Sequence, residues 1–162
     1  MDPSELELIP PIVRVAGEKY PMSFLGMRGQ TPLVLVSAEN LVAIARFLRD
    51  EPGLEFNYLS SITAVDYWEY FEVAYLLQSI HLGQTIELKV RVDRETPVVP
   101  SVVDVWKGAN LQEREVYDLM GVEFSGHPDL TRVLLWEGFP GHPLRKDFDL
   151  QPDDIPIPKD VE

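Results

Sequence analysis

From Thr85 to Asp93 the chain alternates without a break. Ile86, Leu88, Val90 and Val92 are apolar, and Glu87, Lys89, Arg91 and Asp93 are charged. A period of two over this length fits an extended strand with one buried and one wet face, and fits no helix, because helical faces recur every three to four residues. Two runs of the same β-branched and aromatic character, Phe56 to Asp66 and Phe71 to His81, precede it across short connectors such as Gly83-Gln84. Together they predict an antiparallel meander whose apolar face needs a helical cover.

The flanking segments supply that cover. Tyr20 to Arg28 and Pro32 to Val36 read as strands joined by a turn at Gly29-Gln30. Ser37 stands where a helix N-cap belongs, ahead of Leu41, Ile44, Ala45 and Leu48, whose spacing marks one apolar helical face ending near Pro52-Gly53. A brief helix is expected at Ser4 to Ile9. After the meander, Pro97 and Pro100 break the sheet, and Ser101 with Asp104 has the form of a capping box before Val102, Val103, Val105 and Trp106. Gly108 and Ala109 interrupt that helix, Asn110 with Glu113 can restart it, and Gly121 sits where a left-handed C-cap is favoured. The element order predicts an α+β fold over residues 1–121: two layers, with helices on one face of a mixed or antiparallel sheet.

Residues 122–162 change character. Pro128, Pro140, Pro143, Pro152, Pro156 and Pro158, with Gly126, Gly138 and Gly141, leave little room for regular elements. Yet Phe124, Leu130, Val133, Leu134, Leu135, Trp136, Phe139, Leu144 and Phe148 are too apolar for a disordered tail. The expectation is an extended C-terminal arm whose anchors are buried on the chain's own domain or on another protein.

Charge and composition exclude several functions. Fourteen Lys and Arg oppose 27 Asp and Glu, a formal net charge of −13, which repels the phosphates of nucleic acid and anionic lipid. No apolar run approaches the roughly 20 residues needed to cross a bilayer, and the acidic start lacks the pattern of a signal peptide. The absence of cysteine excludes disulfides, thiolate metal sites and cysteine-held iron–sulfur clusters within the chain. Neither glycine-rich nucleotide motif occurs.

Among residues that could carry chemistry, Glu113, Glu115 and Asp118 around Arg114 could form an acid/base pair in an autonomous hydrolase. The structural reading weighs more: acids near a helix start complement its dipole, and one-turn spacing lets Arg114 and Asp118 pair. A third reading places Glu113 and Arg114 in ion pairs across an interface. His127 and His142 each precede a proline, at Pro128 and Pro143. With no second ligand at helical spacing, their ring nitrogens are expected to pin turns by bonding backbone carbonyls. His81 reads as a partly exposed sheet residue. Leu144-Arg145-Lys146-Asp147-Phe148 reads either as a solvated charge cluster or as a docking element, and Trp106 and Trp136 as core or interface packing.

The segments Glu113-Arg114-Glu115-Val116-Tyr117-Asp118-Leu119-Met120-Gly121, Gly126-His127-Pro128-Asp129-Leu130 and Gly141-His142-Pro143-Leu144-Arg145-Lys146-Asp147-Phe148 closely resemble the signature of the 30 kDa subunit of respiratory complex I. Phe56 to Leu59, Thr63 to Asp66 and Val99 to Val102 are similar to that family's earlier segments. Thr131 stands where a basic residue is frequent, and Asp149 where many members have proline. The resemblance implies a cofactor-free subunit of the hydrophilic arm of a proton-pumping NADH:quinone oxidoreductase, held peripherally on the cytoplasmic side of a bacterial membrane. FMN and iron–sulfur clusters would belong to other subunits. It implies that the arm lies across the large quinone-site subunit and the cluster-bearing subunit beside it, with no catalytic residue in this chain. The implied contact set is Glu113, Arg114, Glu115, Tyr117, Asp118, His127, Pro128, Asp129, Arg132, Trp136, His142, Pro143, Leu144, Arg145, Lys146, Asp147 and Phe148. Similar subunits occur in ferredoxin-linked, deazaflavin-linked and hydrogenase membrane complexes.

Overall fold

The fold is taken from a computed structural model, which describes residues 10–149 and 151. The helix expected at Ser4 to Ile9 lies outside the described residues. The chain order is α1 (Pro11–Lys19), β1 (Met22–Arg28), β2 (Thr31–Val36), a short 3-10 turn (Ala38–Asn40), α2 (Leu41–Asp50), β3 (Tyr58–Asp66), β4 (Tyr70–Ser79), β5 (Gln84–Asp93), β6 (Val98–Pro100), α3 (Ala109–Met120) and β7 (Glu123–Ser125).

A five-stranded sheet runs in the order β1-β2-β5-β4-β3. The meander and the β1–β2 hairpin are antiparallel, but β2 and β5 pair in parallel, so the sheet is mixed. On one face Phe71, Val73, Tyr75 and Leu77 of β4 lie beside Ile86, Leu88 and Val90 of β5, all buried. Leu41, Ile44, Ala45 and Leu48 of α2 and Val13 and Ala16 of α1 belong to the same core. Burying each large aliphatic side chain there contributes about 1.5–3 kcal/mol. On the other face, Glu87 and Glu72 are paired in a ladder with Arg28, Lys89 and Arg91, which explains how two buried acids stand on a sheet surface.

Local expectations fail at three caps. The capping-box reading at Ser101 and Asp104 predicts a helix where residues 102–105 form turns instead. Ser101 Oγ is engaged by Glu113 Oε2 at 2.6 Å and by the Val103 N–H. Helix α3 starts at Ala109 behind Gly108, with no side-chain cap bond from Asn110 and no acid in its first turn. Ser37 makes no cap bond either; it precedes the 3-10 turn and accepts from Asn40 Nδ2. Gly121 does adopt the left-handed C-cap, with φ of 71° and its N–H on the Tyr117 carbonyl.

The packed body continues past Gly121. Val122 and Phe124 are buried, and β7 pairs in parallel with β6, adding a small second sheet that carries the chain from the core into the arm.

Candidate functional site: helix α3 and the arm it anchors

Helix α3 packs along β3 at the sheet edge, with Val116 and Met120 turned into the core. Its charged residues diverge. Glu113, fully buried, accepts from Ser101 Oγ and from the Val102 N–H at 2.7 Å, tying the helix to the segment that follows β6. Burial raises its carboxyl above the usual range, and these two donors only partly offset that. Arg114 does not pair with Asp118. It reaches Thr131, donating to the carbonyl at 3.0 Å and to Oγ1 at 2.7 Å, and it also touches the Arg132 carbonyl.

Asp118 is the hub. Its Oδ2 accepts the N–H groups of Val133, Leu134 and Leu135, and its Oδ1 meets Arg132 at 3.3 Å. The carboxylate is buried, which by itself would raise its pKa, but the three amides and the guanidinium outweigh burial and hold it below the usual range. A helical acid thereby gathers three consecutive arm amides into a nest.

The arm returns the contact at the end of the helix, where the last carbonyls have no intrahelical partner. His142 Nδ1 bonds the Asp118 carbonyl at 2.9 Å, the Leu144 N–H bonds that of Leu119 at 3.0 Å, and Arg145 Nε bonds that of Met120 at 2.7 Å. A second Arg145 nitrogen reaches the Gly121 carbonyl, and the guanidinium lies over the Phe71 ring. This cation at a helix C-terminus also complements the dipole. A Cβ at Gly121 would collide with Arg145 and His142, so glycine is required by approach as well as by φ. Burial is the main reason the His142 pKa is lowered, with Arg145 and Arg132 adding to it against the Asp118 contacts.

A second latch lies on β3. Asp66, core-facing and buried, accepts the N–H groups of Lys146 and Trp68 and is paired with Arg94, which also meets Asp147 at 2.8 Å. Burial again opposes ionisation, and the donors outweigh it. His127 pins its own turn: Nδ1 accepts the Asp129 N–H, so Nε2 carries the proton toward the Asn110 carbonyl at 3.2 Å. Trp136, Phe139 and Phe148 pack in sequence, edge to face and then stacked, with Phe139 buried.

The expected contact residues thus divide. Glu113, Arg114, Asp118, Arg132, His142, Arg145 and Asp147 bond within the chain. Pro128, Asp129, Trp136, Leu144 and Lys146 are exposed, as is Glu115, and Tyr117 and Pro143 are half-buried. Glu113, Glu115 and Asp118 face three different surroundings and do not converge on one pocket. His81 lies exposed in the β4–β5 turn. Trp106 is buried and donates to the Phe56 carbonyl, whereas Trp136 is 42% exposed. Sequence reasoning missed Asp66, Arg94 and Thr131 as arm anchors. The signal for Asp66 was present: it continues the core-facing period of Ile62 and Ala64, so an acid there demands buried partners.

Among the described residues there is no group of three or more His, Asp or Glu placed to hold a metal, and no helix long and apolar enough to cross a membrane. The fold and its latches define an α+β domain whose C-terminal arm is strapped to its last helix, with an apolar outer surface on the strap.

Residues 34–154 match the model of the respiratory-chain NADH dehydrogenase 30 Kd subunit, and the chain belongs to that family. A relative from Moorella thermoacetica, named as an NADH-quinone oxidoreductase subunit, is 49% identical over 122 residues, covering 74% of this chain and 81% of that protein. The subunit of the same name from Burkholderia mallei is 39% identical over 155 residues, 90% of this chain and 77% of the relative. Among solved structures, a trypsin-resistant fragment of Nqo5 aligns with a TM-score of 0.60 and 33% identity, over 74% of this chain and 96% of the fragment. A chain of the membrane-bound sulfane sulfur reductase, an archaeal respiratory membrane complex, aligns with a TM-score of 0.71 and 29% identity, over 86% of this chain and 84% of that one.

Proposed function

We propose that this chain is a scaffold subunit, without a cofactor of its own, in the hydrophilic arm of a proton-pumping NADH:quinone oxidoreductase. In this reading it sits peripherally on the cytoplasmic side of a bacterial membrane and clamps the large quinone-site subunit to the cluster-bearing subunit beside it. FMN and iron–sulfur clusters would be carried by partner subunits, and the chain would hold their spacing without touching an electron itself.

The observation that carries this reading is the two-sidedness of residues 127–148. The inner side is fixed to α3 and β3 by Asp118, Asp66 and Arg145. The outer side leaves Val133, Leu134, Trp136 and Leu144 between 40% and 60% exposed. A loop bonded to its own domain on one side and presenting large apolar side chains, Trp136 among them, on the other is the arrangement expected of an interface. The division into a domain over 1–121 and a partner-binding arm over 122–162 belongs to the same proposal, with the qualification that Val122 and Phe124 also serve the core.

The test is purification of the tagged chain from gently solubilised membranes, with mass spectrometry of its companions and an NADH-to-quinone assay. Companions bearing clusters and the quinone site, with NADH-linked activity, would support the proposal; recovery of the chain alone would overturn it. A second reading, an equivalent subunit of a related ferredoxin-linked, deazaflavin-linked or hydrogenase-type complex, is favoured by the likeness to the archaeal reductase. Companions from such a machine would select it.

A further inference from the structure

Strand β3 is a sheet edge, and its outward backbone groups can be assigned from two bonds. The Tyr67 N–H bonds the Tyr70 carbonyl, so residues of that parity point toward β4. The Ile62 N–H instead leaves the sheet and bonds Gln112 Oε1 of α3 at 2.6 Å. Two residues on, Ala64 shares the outward parity. Its N–H and carbonyl face away from β4 into a slot of about 200 Å³, and no bond from another segment reaches either group among the described residues.

Gln112 closes one end of this edge, and at the other the arm bonds the side chain of Asp66 through the Lys146 N–H. Apolar side chains, those of Ile62, Val116, Leu119, Met120 and Leu144, line the slot between the two ends. Glu115 stands at its rim, exposed, with no ion pair or hydrogen bond among the described residues. Leu144, 58% exposed, forms part of the outer surface of the arm, so the slot is continuous with the surface on which the proposed function rests.

We propose that this slot receives a short extended segment of a partner subunit, in which one residue exchanges backbone hydrogen bonds with Ala64 and an aliphatic side chain lies beside a Lys or Arg. The backbone pair fixes an extended conformation, as in strand addition to a sheet edge. The lining selects an aliphatic side chain, and the unpaired Glu115 carboxylate selects the adjacent cation. The inference rests on the reading of this surface as partner-facing.

Photo-crosslinking in the intact complex tests it, with p-benzoylphenylalanine placed at Leu119 in the slot and, separately, at Trp136 on the arm. Leu119 should crosslink to a partner peptide containing Lys or Arg next to Ile, Leu or Val. Glu115→Lys should lower that yield about ten-fold while leaving the melting temperature of the chain unchanged. Crosslinking from Trp136 but not from Leu119 would overturn the slot and leave the scaffold reading intact. Crosslinks from Leu119 confined to a second copy or to this chain's own residues would also overturn it. Silence at both positions would overturn both readings.

Discussion

The Leu134 N–H points at the Asp118 carboxylate from 2.8 Å, across fifteen intervening residues, and two neighbouring amides share the same oxygen. Removing the carboxylate leaves those donors without their acceptor and frees Arg132 from its ion pair. Asp118→Ala should destabilise the chain by about 2–4 kcal/mol, and Asp118→Asn by less, since an amide oxygen still accepts. Urea unfolding measures the loss. Limited trypsin digestion should also cut the variant at Arg132 and Arg145 faster than wild type, and equal cutting would show that Asp118 does not hold the arm.

Acid should loosen the arm before it unfolds the sheet. Asp118 and Asp66 have lowered pKa values, so near and below the unfolded aspartate value of about 3.9 the unfolded chain binds more protons than the folded one. Their contribution is fully present above that value and is lost as pH falls through the folded pKa. His142 is lowered as well, mainly by burial, so its contribution starts to fade below about pH 6.5, the ordinary histidine value. That is ahead of every carboxylate, the sheet's own lowered Glu72 included, and this sets the order. Amide exchange at residues 133–135 followed from pH 7 to pH 3 should lose protection earlier than β4. Simultaneous loss would show that the arm and the sheet unfold as one unit.

The sheet and its core were legible because they obey a period: β5 alternates strictly, and α2 repeats every three to four residues. The strand pairing was partly legible, since turn signals join sequential neighbours but nothing local specifies the parallel contact of β2 with β5. Caps misled because Ser101 and Glu113 satisfy each other across twelve residues, a tertiary bond that overrides the local cap pattern. The arm is visible as a segment, yet spacing pairs Arg114 with Asp118 along the helix and leaves the arm's charges solvated or docked, whereas Arg114 goes to Thr131 and Asp118 to the arm amides. Asp118, Arg145 and Asp147 find intrachain partners only once the chain has turned back on α3, and no spacing rule reports that return.

Glu113 has the opposite pH sign from Asp118. Its raised pKa means that the folded chain holds its proton to higher pH than the unfolded chain does, so this group costs stability as pH rises through that window. Glu113→Gln keeps an acceptor for the Val102 N–H and an amide donor for Ser101 Oγ. It should therefore leave stability at pH 7 within about 1 kcal/mol of wild type, whereas Glu113→Ala should cost about 2–3 kcal/mol. Urea midpoints at pH 5 and pH 8 separate the two effects. The wild-type advantage over the glutamine variant should be larger at pH 5, and a larger advantage at pH 8 would reverse the assignment.

Gly121 carries two demands that no other residue meets together. Its φ of 71° disfavours any side chain, and the space a Cβ would fill is held by Arg145 and His142. Alanine there adds backbone strain of about 1 kcal/mol and forces Arg145 off the Met120 and Gly121 carbonyls, leaving helix ends unpaired. Gly121→Ala should lower stability by about 2–4 kcal/mol. It should also speed proteolysis of residues 142–148 more than Arg145→Lys does, because lysine can still reach one carbonyl. Crossing Gly121→Ala with Arg145→Ala gives a direct reading. If the arm's return is what makes the glycine necessary, the double variant should lose less than the two single losses added together. Strict additivity would show that Arg145 plays no part in the requirement, leaving φ and the His142 ring to set it.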